Sequence, residues 1–156
     1  MGRKEIDLAR ILVVDDDPVI RRLLSVLLQD EGHDVLSAPD GDAALETISN
    51  EAPDLVVLDV LMPKKDGYTV LKEMKSSGIR ESTKVLVLTG RGTEADWLRG
   101  YKLGADQYMT KPFDTEEFTN VINELLGMSR EQLKVRRLAE LDRAQLLSRL
   151  EAIFER

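Results

Sequence analysis

The chain has 156 residues, with 22 Lys or Arg against 29 Asp or Glu for a net charge of −7, a single His and no Cys. Without thiols, disulfide frameworks, thiolate zinc sites and Cys nucleophiles are excluded, and one imidazole cannot build a His-pair metal site. The acidic balance argues against a non-specific nucleic-acid binder, which needs clustered cations, so any chemistry has to run on carboxylates, hydroxyls and Lys.

Residues 1–10 are charged throughout and lack the apolar stretch of about 7 to 15 residues that a signal peptide needs, and no apolar run of about 18 residues occurs. A cytoplasmic protein with no membrane partner is expected. Short continuous runs of Val, Ile and Leu at 11–14, 55–58 and 85–88 read as strands buried on both faces. Residues 34–38 and 107–110 are partly polar and suit sheet edges.

Helical spacing fills the gaps between these runs. Ile20, Leu23, Leu24, Leu27 and Leu28 share one face of a first helix, and Ala43, Ala44 and Ile48 share a face of a second. Further helices are predicted at about 67–76 and 94–103. A fifth, over 115–126, has Thr115 available as its cap, Glu116 and Glu117 in its first turn and Gly127 as a stop. Strict alternation of strand and helix implies a parallel sheet with right-handed crossovers, hence a doubly wound five-stranded α/β domain ending near Gly127.

Residues 128–156 carry a local net charge of +2 against −9 for residues 1–127, and this shift marks a boundary. The division is then a domain over 1–128 and a helical tail over 129–156. Ser129 with Gln132 reads as a capping box, and Asp142 with Gln145 as another, so the tail is one long helix or two short ones. Leu146, Leu147, Leu150, Ile153 and Phe154 recur at helical spacing and have to pack on something. No heptad pattern is sustained through Asp142 and Gln145. Docking on the preceding domain and pairing with a second copy in a homodimer are the two outcomes. His33, after Gly32, reads as an exposed loop residue.

In an open parallel sheet the functional crevice lies at the carboxyl ends of the strands. Here those ends carry Asp15, Asp16 and Asp17 after the first strand, Asp59 after the third, Thr89 on the fourth, and Thr110 and Lys111 on the fifth. Asp17, before Pro18, suits a helix cap. Capping does not call for Asp15, Asp16 and Asp59 together. Carboxylates packed this closely raise one another's pKa unless a cation sits among them, and an all-oxygen donor set favours Mg²⁺ over zinc. A carboxylate at such a centre can act as a nucleophile and form an acyl phosphate; Asp59, on a central strand, is best placed.

These residues resemble the receiver domain of bacterial two-component response regulators over roughly residues 10–128. The resemblance is carried by the acidic pair Asp15 and Asp16, by the segment from Asp59 through Met62, Pro63 and Asp66 to Gly67, by Leu88, Thr89 and Gly90, by Leu103 to Asp106, and by Lys111, Pro112 and Phe113. It implies a flavodoxin-like sheet of order 2-1-3-4-5. It also implies that Asp59 is the phosphoacceptor for a sensor histidine kinase or phosphotransfer protein, and that Asp15, Asp16, Asp59 and the backbone carbonyl of Leu61 hold Mg²⁺. Lys111 would pair with Asp59 and then with the phosphate, through a cis Lys111-Pro112 peptide. Thr89 would be the switch hydroxyl and Tyr108 the aromatic that follows it, biasing the surface of the fourth helix, fifth strand and fifth helix.

On this reading the protein is no enzyme beyond its own phosphorylation and dephosphorylation. Leu61 and Arg91 flank the acceptor, and an apolar Leu61 cannot orient attacking water, so slow self-dephosphorylation is expected. The fifth helix lacks Lys and Arg, which disfavours the dimer mode that draws on basic residues there. The tail resembles the opening of a diguanylate cyclase domain only up to Gln145 and Leu146, which replace its Thr-Gly. It is also too short for a helix-turn-helix domain, so a downstream protein effector with no direct nucleic-acid contact is expected. Two rivals remain: a Mg²⁺-dependent phosphatase with an aspartyl nucleophile, which would need a second Asp where Leu61 stands, and a nucleotide or flavin binder suggested by Gly90 and Gly92.

Overall fold

The computed structural model describes residues 8–79, 82–90 and 94–155, so Arg91 and Gly92, singled out above, lie outside the described residues. In chain order the elements are β1 (Arg10–Val14), α1 (Pro18–Asp30), β2 (Asp34–Ala38), α2 (Gly41–Glu51), β3 (Leu55–Leu58), α3 (Gly67–Ser76), β4 (Lys84–Thr89), α4 (Glu94–Lys102), β5 (Gln107–Thr110), α5 (Thr115–Gly127) and α6 (Arg130–Phe154). The strands form one parallel sheet of order β2-β1-β3-β4-β5. The fold class and strand order are those expected, with the two partly polar strands at the edges.

Alternation along each strand divides the core into two layers. Leu12, Val14, Val56, Leu58, Val85 and Val87 face Ala44 and Ile48 of α2, Val70, Leu71 and Met74 of α3, and Tyr101 of α4. Ile11, Val13, Leu55, Val57, Leu86 and Leu88 face Leu24 and Leu28 of α1 and Phe118, Ile122 and Leu125 of α5. Pairing of Val14 with Leu58, of Leu58 with Val87 and of Thr89 with Thr110 brings the carboxyl ends of β1, β3, β4 and β5 to one rim.

The starts of α1, α2, α3 and α5 follow short acidic side chains whose oxygens accept otherwise unpaired backbone N–H groups. Asp17 accepts from Val19, the cap expected of it, and Asp40 and Asp66 open α2 and α3 in the same way. For α5 the cap is Asp114, which accepts from the Glu117 N–H, and not Thr115, which is the first helical residue. Carboxylate is the better acceptor at that position, and the neighbouring Asp takes it.

His33 also departs from expectation. It is 5% exposed, and its Nδ1 accepts the Ala9 N–H at 3.1 Å, tying the start of β1 to the turn after α1. Burial is the main cause that lowers its pKa, with Glu31 opposing.

The tail is one continuous helix. Ser129 and Gln132 form the expected capping box, whereas Asp142 and Gln145 sit inside α6 and cap nothing. Helix α6 packs on α4 and crosses the open edge of β5, with Leu133 in the α1 and α5 layer and Leu141 against the opposite layer. An edge strand otherwise presents unpaired backbone groups, and a covering helix removes that hazard. The docking is also polar. Arg137 reaches the fully buried Asp106 at 2.6 Å, with Arg130 at 3.6 Å, and Arg136 binds Gln107 and Glu124. Lys84 Nζ donates to the carbonyls of Leu125, Leu126 and Met128 at the end of α5, where a cation is favoured by the helix dipole. Among the described residues no helix is long and apolar enough to cross a membrane.

Candidate functional site

Because β1 and β3 are adjacent and in register, the residues that follow them, Asp15 and Asp59, come side by side. Asp59 N–H donates to the Val14 carbonyl at 3.0 Å, continuing the ladder one residue past the strand. Asp15 is 2% and Asp59 5% exposed, whereas Asp16 faces solvent. One carboxylate oxygen from each of Asp15, Asp16 and Asp59 lies within 4.8 Å of the others. Three sequence-selected acids thus converge, two of them withdrawn from water.

Lys111 closes the group. Its Nζ lies 2.6 Å from Asp15 Oδ2 and 3.5 Å from Asp59 Oδ2. The Lys111-Pro112 peptide is cis, as expected, and the Lys111 N–H donates to the Thr89 carbonyl at 2.8 Å. Burial alone pulls the ammonium's pKa down, but the hydrogen bond to Asp15 and the charges of Asp59 and Asp15 outweigh it and hold Lys111 above its ordinary range.

Asp59 is held in the opposite balance. Burial, as the largest influence, raises its pKa above the ordinary carboxylate range and Asp15 adds to this, while the Leu61 N–H, Lys111 and the Thr89 hydroxyl oppose. The Leu61 N–H donates to Asp59 Oδ1 at 3.1 Å. By charge count, the one ammonium of Lys111 offsets only one of the two buried carboxylates beside it. That residual negative charge, and a donor set made only of oxygens, fit a hard divalent cation.

Thr89 is fully buried at the end of β4, close enough to bond Asp59. Tyr108 lies inward on β5, 5% exposed, its ring centroid 5.8 Å from that of Trp97 on α4. A Cβ at Gly100 would stand 3.2 Å from the Tyr108 ring, so the glycine makes room for the ring against α4. Leu61 is 46% exposed at the rim.

Sequence reasoning did not find the role of Gly67. A Cβ there would meet the Asp59 carbonyl oxygen at 2.4 Å and Val60 Cα at 2.7 Å, so only glycine lets the start of α3 press against the backbone that carries Asp59. Arg21, whose guanidinium donates to the Asp15 carbonyl at 2.7 Å, was also missed. Neither contact leaves a local pattern, since each partner lies in a different element or loop.

Residues 11–123 match the family model for the response regulator receiver domain. Among curated proteins, the probable transcriptional regulator ycf27 of Cyanophora paradoxa is 44% identical over 122 residues, covering 78% of this chain and 50% of its own length. The alkaline phosphatase synthesis transcriptional regulatory protein PhoP of Bacillus subtilis is 42% identical over 120 residues, covering 77% and 49% respectively. The chain thus spans about half the length of the curated relatives it matches. Among solved structures, the chemotaxis protein CheY4 of Vibrio cholerae superposes with a TM-score of 0.72 at 30% identity, covering 76% of this chain and 98% of that one.

Proposed function

The chain belongs to the response regulator receiver domain family, and from that premise we propose that Asp59 takes a phosphoryl group from a phosphohistidine on a sensor histidine kinase or phosphotransfer protein. In the transfer the bond from phosphorus to the imidazole nitrogen breaks, its electron pair stays with the ring, and a bond forms from phosphorus to a carboxylate oxygen of Asp59. The observation that supports this reading above the others is the convergence of Asp15, Asp16 and Asp59 within 4.8 Å beside Lys111.

Each residue's part follows from its chemistry. Asp15, Asp16, Asp59 and the Leu61 carbonyl would hold Mg²⁺, which when bound supplies positive charge to the oxygens of the transferring group. Lys111, 2.6 Å from Asp15 and 3.5 Å from Asp59, is free to exchange Asp15 for a phosphate oxygen with a small movement. Thr89 offers its hydroxyl to the same group, and Tyr108, two residues from Thr110 on the paired strand, follows it. The protein turns over no other substrate. The rival phosphatase reading has no second Asp at position 61 to serve it.

The receiver spans residues 1–128 and the tail 129–156. We read the output as protein to protein, with no direct nucleic-acid contact by this chain: Arg130, Arg136 and Arg137 of the tail are engaged with Asp106, Gln107 and Glu124, and Lys134, Arg143 and Arg149, the remaining exposed cations of the described tail, are too few for the clustered charge that phosphate binding needs. The matched regulators are named as transcriptional, and their unmatched halves lie outside the similarity. A cytoplasmic location is part of the same reading.

The test is incubation with Mg²⁺ and acetyl phosphate, followed by intact-mass analysis. The expected result is a single phosphoryl adduct, stable in acid and labile in base, that is absent from Asp59→Ala and from samples treated with EDTA. An adduct that survives Asp59→Ala overturns the assignment.

A further inference from the structure

Helix α6 has two dissimilar faces. Leu133 and Ala144 are buried against the receiver, whereas Val135 and Leu146, each two residues further on and so about 200° around the helix, are 69% and 57% exposed. Leu138, Leu150 and Ile153 extend this outer stripe at 63%, 41% and 61% exposed. Val135 and Leu146 are eleven residues apart, a spacing of about 3.67 residues per turn that keeps the stripe on one side along the helix. Contiguous exposed apolar side chains of this kind mark an interaction surface.

Between Val135 and Ile153 the stripe carries two charges, Asp142 and Arg149, both exposed and two helical turns apart on the same side. Neither has an ion-pair partner among the described residues. Their placement selects an occupant. In a parallel pair of identical helices Asp142 would face Asp142 and Arg149 would face Arg149. In an antiparallel pair, the register that sets Asp142 of one chain against Arg149 of the other does so twice, by symmetry. The same register sets Leu138 against Ile153 twice and brings the two Leu146 side chains together at the two-fold axis. An interface of this kind is isologous, one patch serving both partners.

We propose that the outer face of α6 is the site at which a second copy of this chain docks, antiparallel, with Asp142 and Arg149 paired across the two-fold. The receivers lie on the opposite faces of their helices, so the paired helices are sandwiched between them, and the half of each α6 beyond Ala144 lies along the docked half of the other. The proposal narrows the expectation of a homodimer through the tail to one face and one direction. It does not rest on phosphoryl chemistry at Asp59, so the acetyl phosphate experiment and the one below fail independently.

The test uses the full chain, with sedimentation equilibrium as the readout and circular dichroism as a control for folding. The wild-type chain is expected to dimerise, and Leu146→Glu to weaken the dimer by at least about tenfold, since it buries two carboxylates at the axis. Asp142→Arg alone and Arg149→Asp alone are each expected to weaken it by about tenfold, because each sets like charges together twice. An equimolar mixture of these two variants restores complementary pairs in a heterodimer and is expected to recover wild-type affinity to within about threefold. A wild-type chain that stays monomeric at about 100 μM overturns the proposal and leaves the face to a different protein. A mixture no tighter than the single variants also overturns it, as does a dimer indifferent to Leu146→Glu.

Discussion

Arg137→Ala tests what holds α6 on the receiver. Asp106 is fully buried; its Oδ2 accepts the Val85 N–H at 2.8 Å and its Oδ1 meets Arg137 at 2.6 Å. Breaking a fully buried ion pair costs about 3–5 kcal/mol, because the remaining charge has lost its partner in a medium that solvates it poorly. Here the loss is smaller. Arg130 remains 3.6 Å from the carboxylate, the Arg137 side chain is 23% exposed, and the Val85 hydrogen bond persists. A cost of about 2 kcal/mol follows, or about 4–8 °C in Tm for a protein of this size. Urea and thermal unfolding measure the global effect. Because α6 can undock before the sheet unfolds, amide exchange over α6 is measured in parallel, and faster exchange is expected there first. Asp106→Asn is expected to cost less, since the amide keeps an oxygen for the Val85 N–H and the side chains of Arg130 and Arg137, 26% and 23% exposed, retain partial contact with water. A global loss below about 0.5 kcal/mol, the range of an ordinary surface substitution, together with unchanged exchange in α6 would refute the reasoning.

Three further outcomes follow from the same kind of argument. His33 has a folded pKa below its ordinary 6.5, so between the two values the unfolded chain binds more protons. Its contribution is therefore present above about pH 6.5 and lost as pH falls through that value, by up to about 1.4 kcal/mol per pH unit. Urea unfolding from pH 7.5 to 5 should show this slope, and His33→Asn should flatten it; parallel profiles for the two proteins sink the idea. Gly67→Ala places a Cβ 2.4 Å from the Asp59 carbonyl oxygen, and the forced backbone shift is expected to cost about 1–3 kcal/mol and slow acetyl phosphate labelling. Wild-type stability and labelling rate would show that the loop yields freely. Leu61 is expected to give a long-lived phospho-form that Leu61→Gln shortens by allowing water to be held near phosphorus; a wild-type lifetime of seconds contradicts this.

Much of the fold was legible because its strands are short apolar runs with polar ends. Residues 55–58 are buried along their whole length, as an uninterrupted Leu-Val-Val-Leu run predicts, and β2 is half-exposed, as its Asp and Ser predict. The site was legible because four of its groups are the residues that immediately follow or end strands, where register alone brings them together. What escaped was set by tertiary partners. His33 looked like a loop residue because its hydrogen-bond donor, Ala9, lies 24 residues away. Thr115 and Asp114 are both competent caps, and the stronger carboxylate acceptor takes the position one residue earlier. Asp142 and Gln145 have the composition of a capping box, yet a cap needs a chain that has left the helical path, and packing of Leu141 and Ala144 keeps α6 continuous through them. The stripe of Leu146, Leu150 and Ile153 was expected to pack, and within a single chain it remains exposed.

The position of α6 bears on how a change at Asp59 reaches the surface. Asp106, Gln107 and Tyr108 are consecutive: the first two anchor Arg137 and Arg136 of α6, and the third packs its ring on Trp97 and Gly100 of α4. Thr89 and Lys111 bracket the other end of the same short strand pair, joined by the hydrogen bond from the Lys111 N–H to the Thr89 carbonyl. If Asp59 is phosphorylated as proposed, inward movement of Thr89 and Lys111 toward the phosphoryl group would act on a strand of four residues whose opposite end holds the tail. Helix α6 already covers the edge of β5 and part of α4, so a partner approaching that side meets the tail before it meets the receiver. On that reading, a signal would leave through this face only if α6 shifts on its Asp106 anchor or presents its own outer face, and either route would make the tail part of the proposed switch.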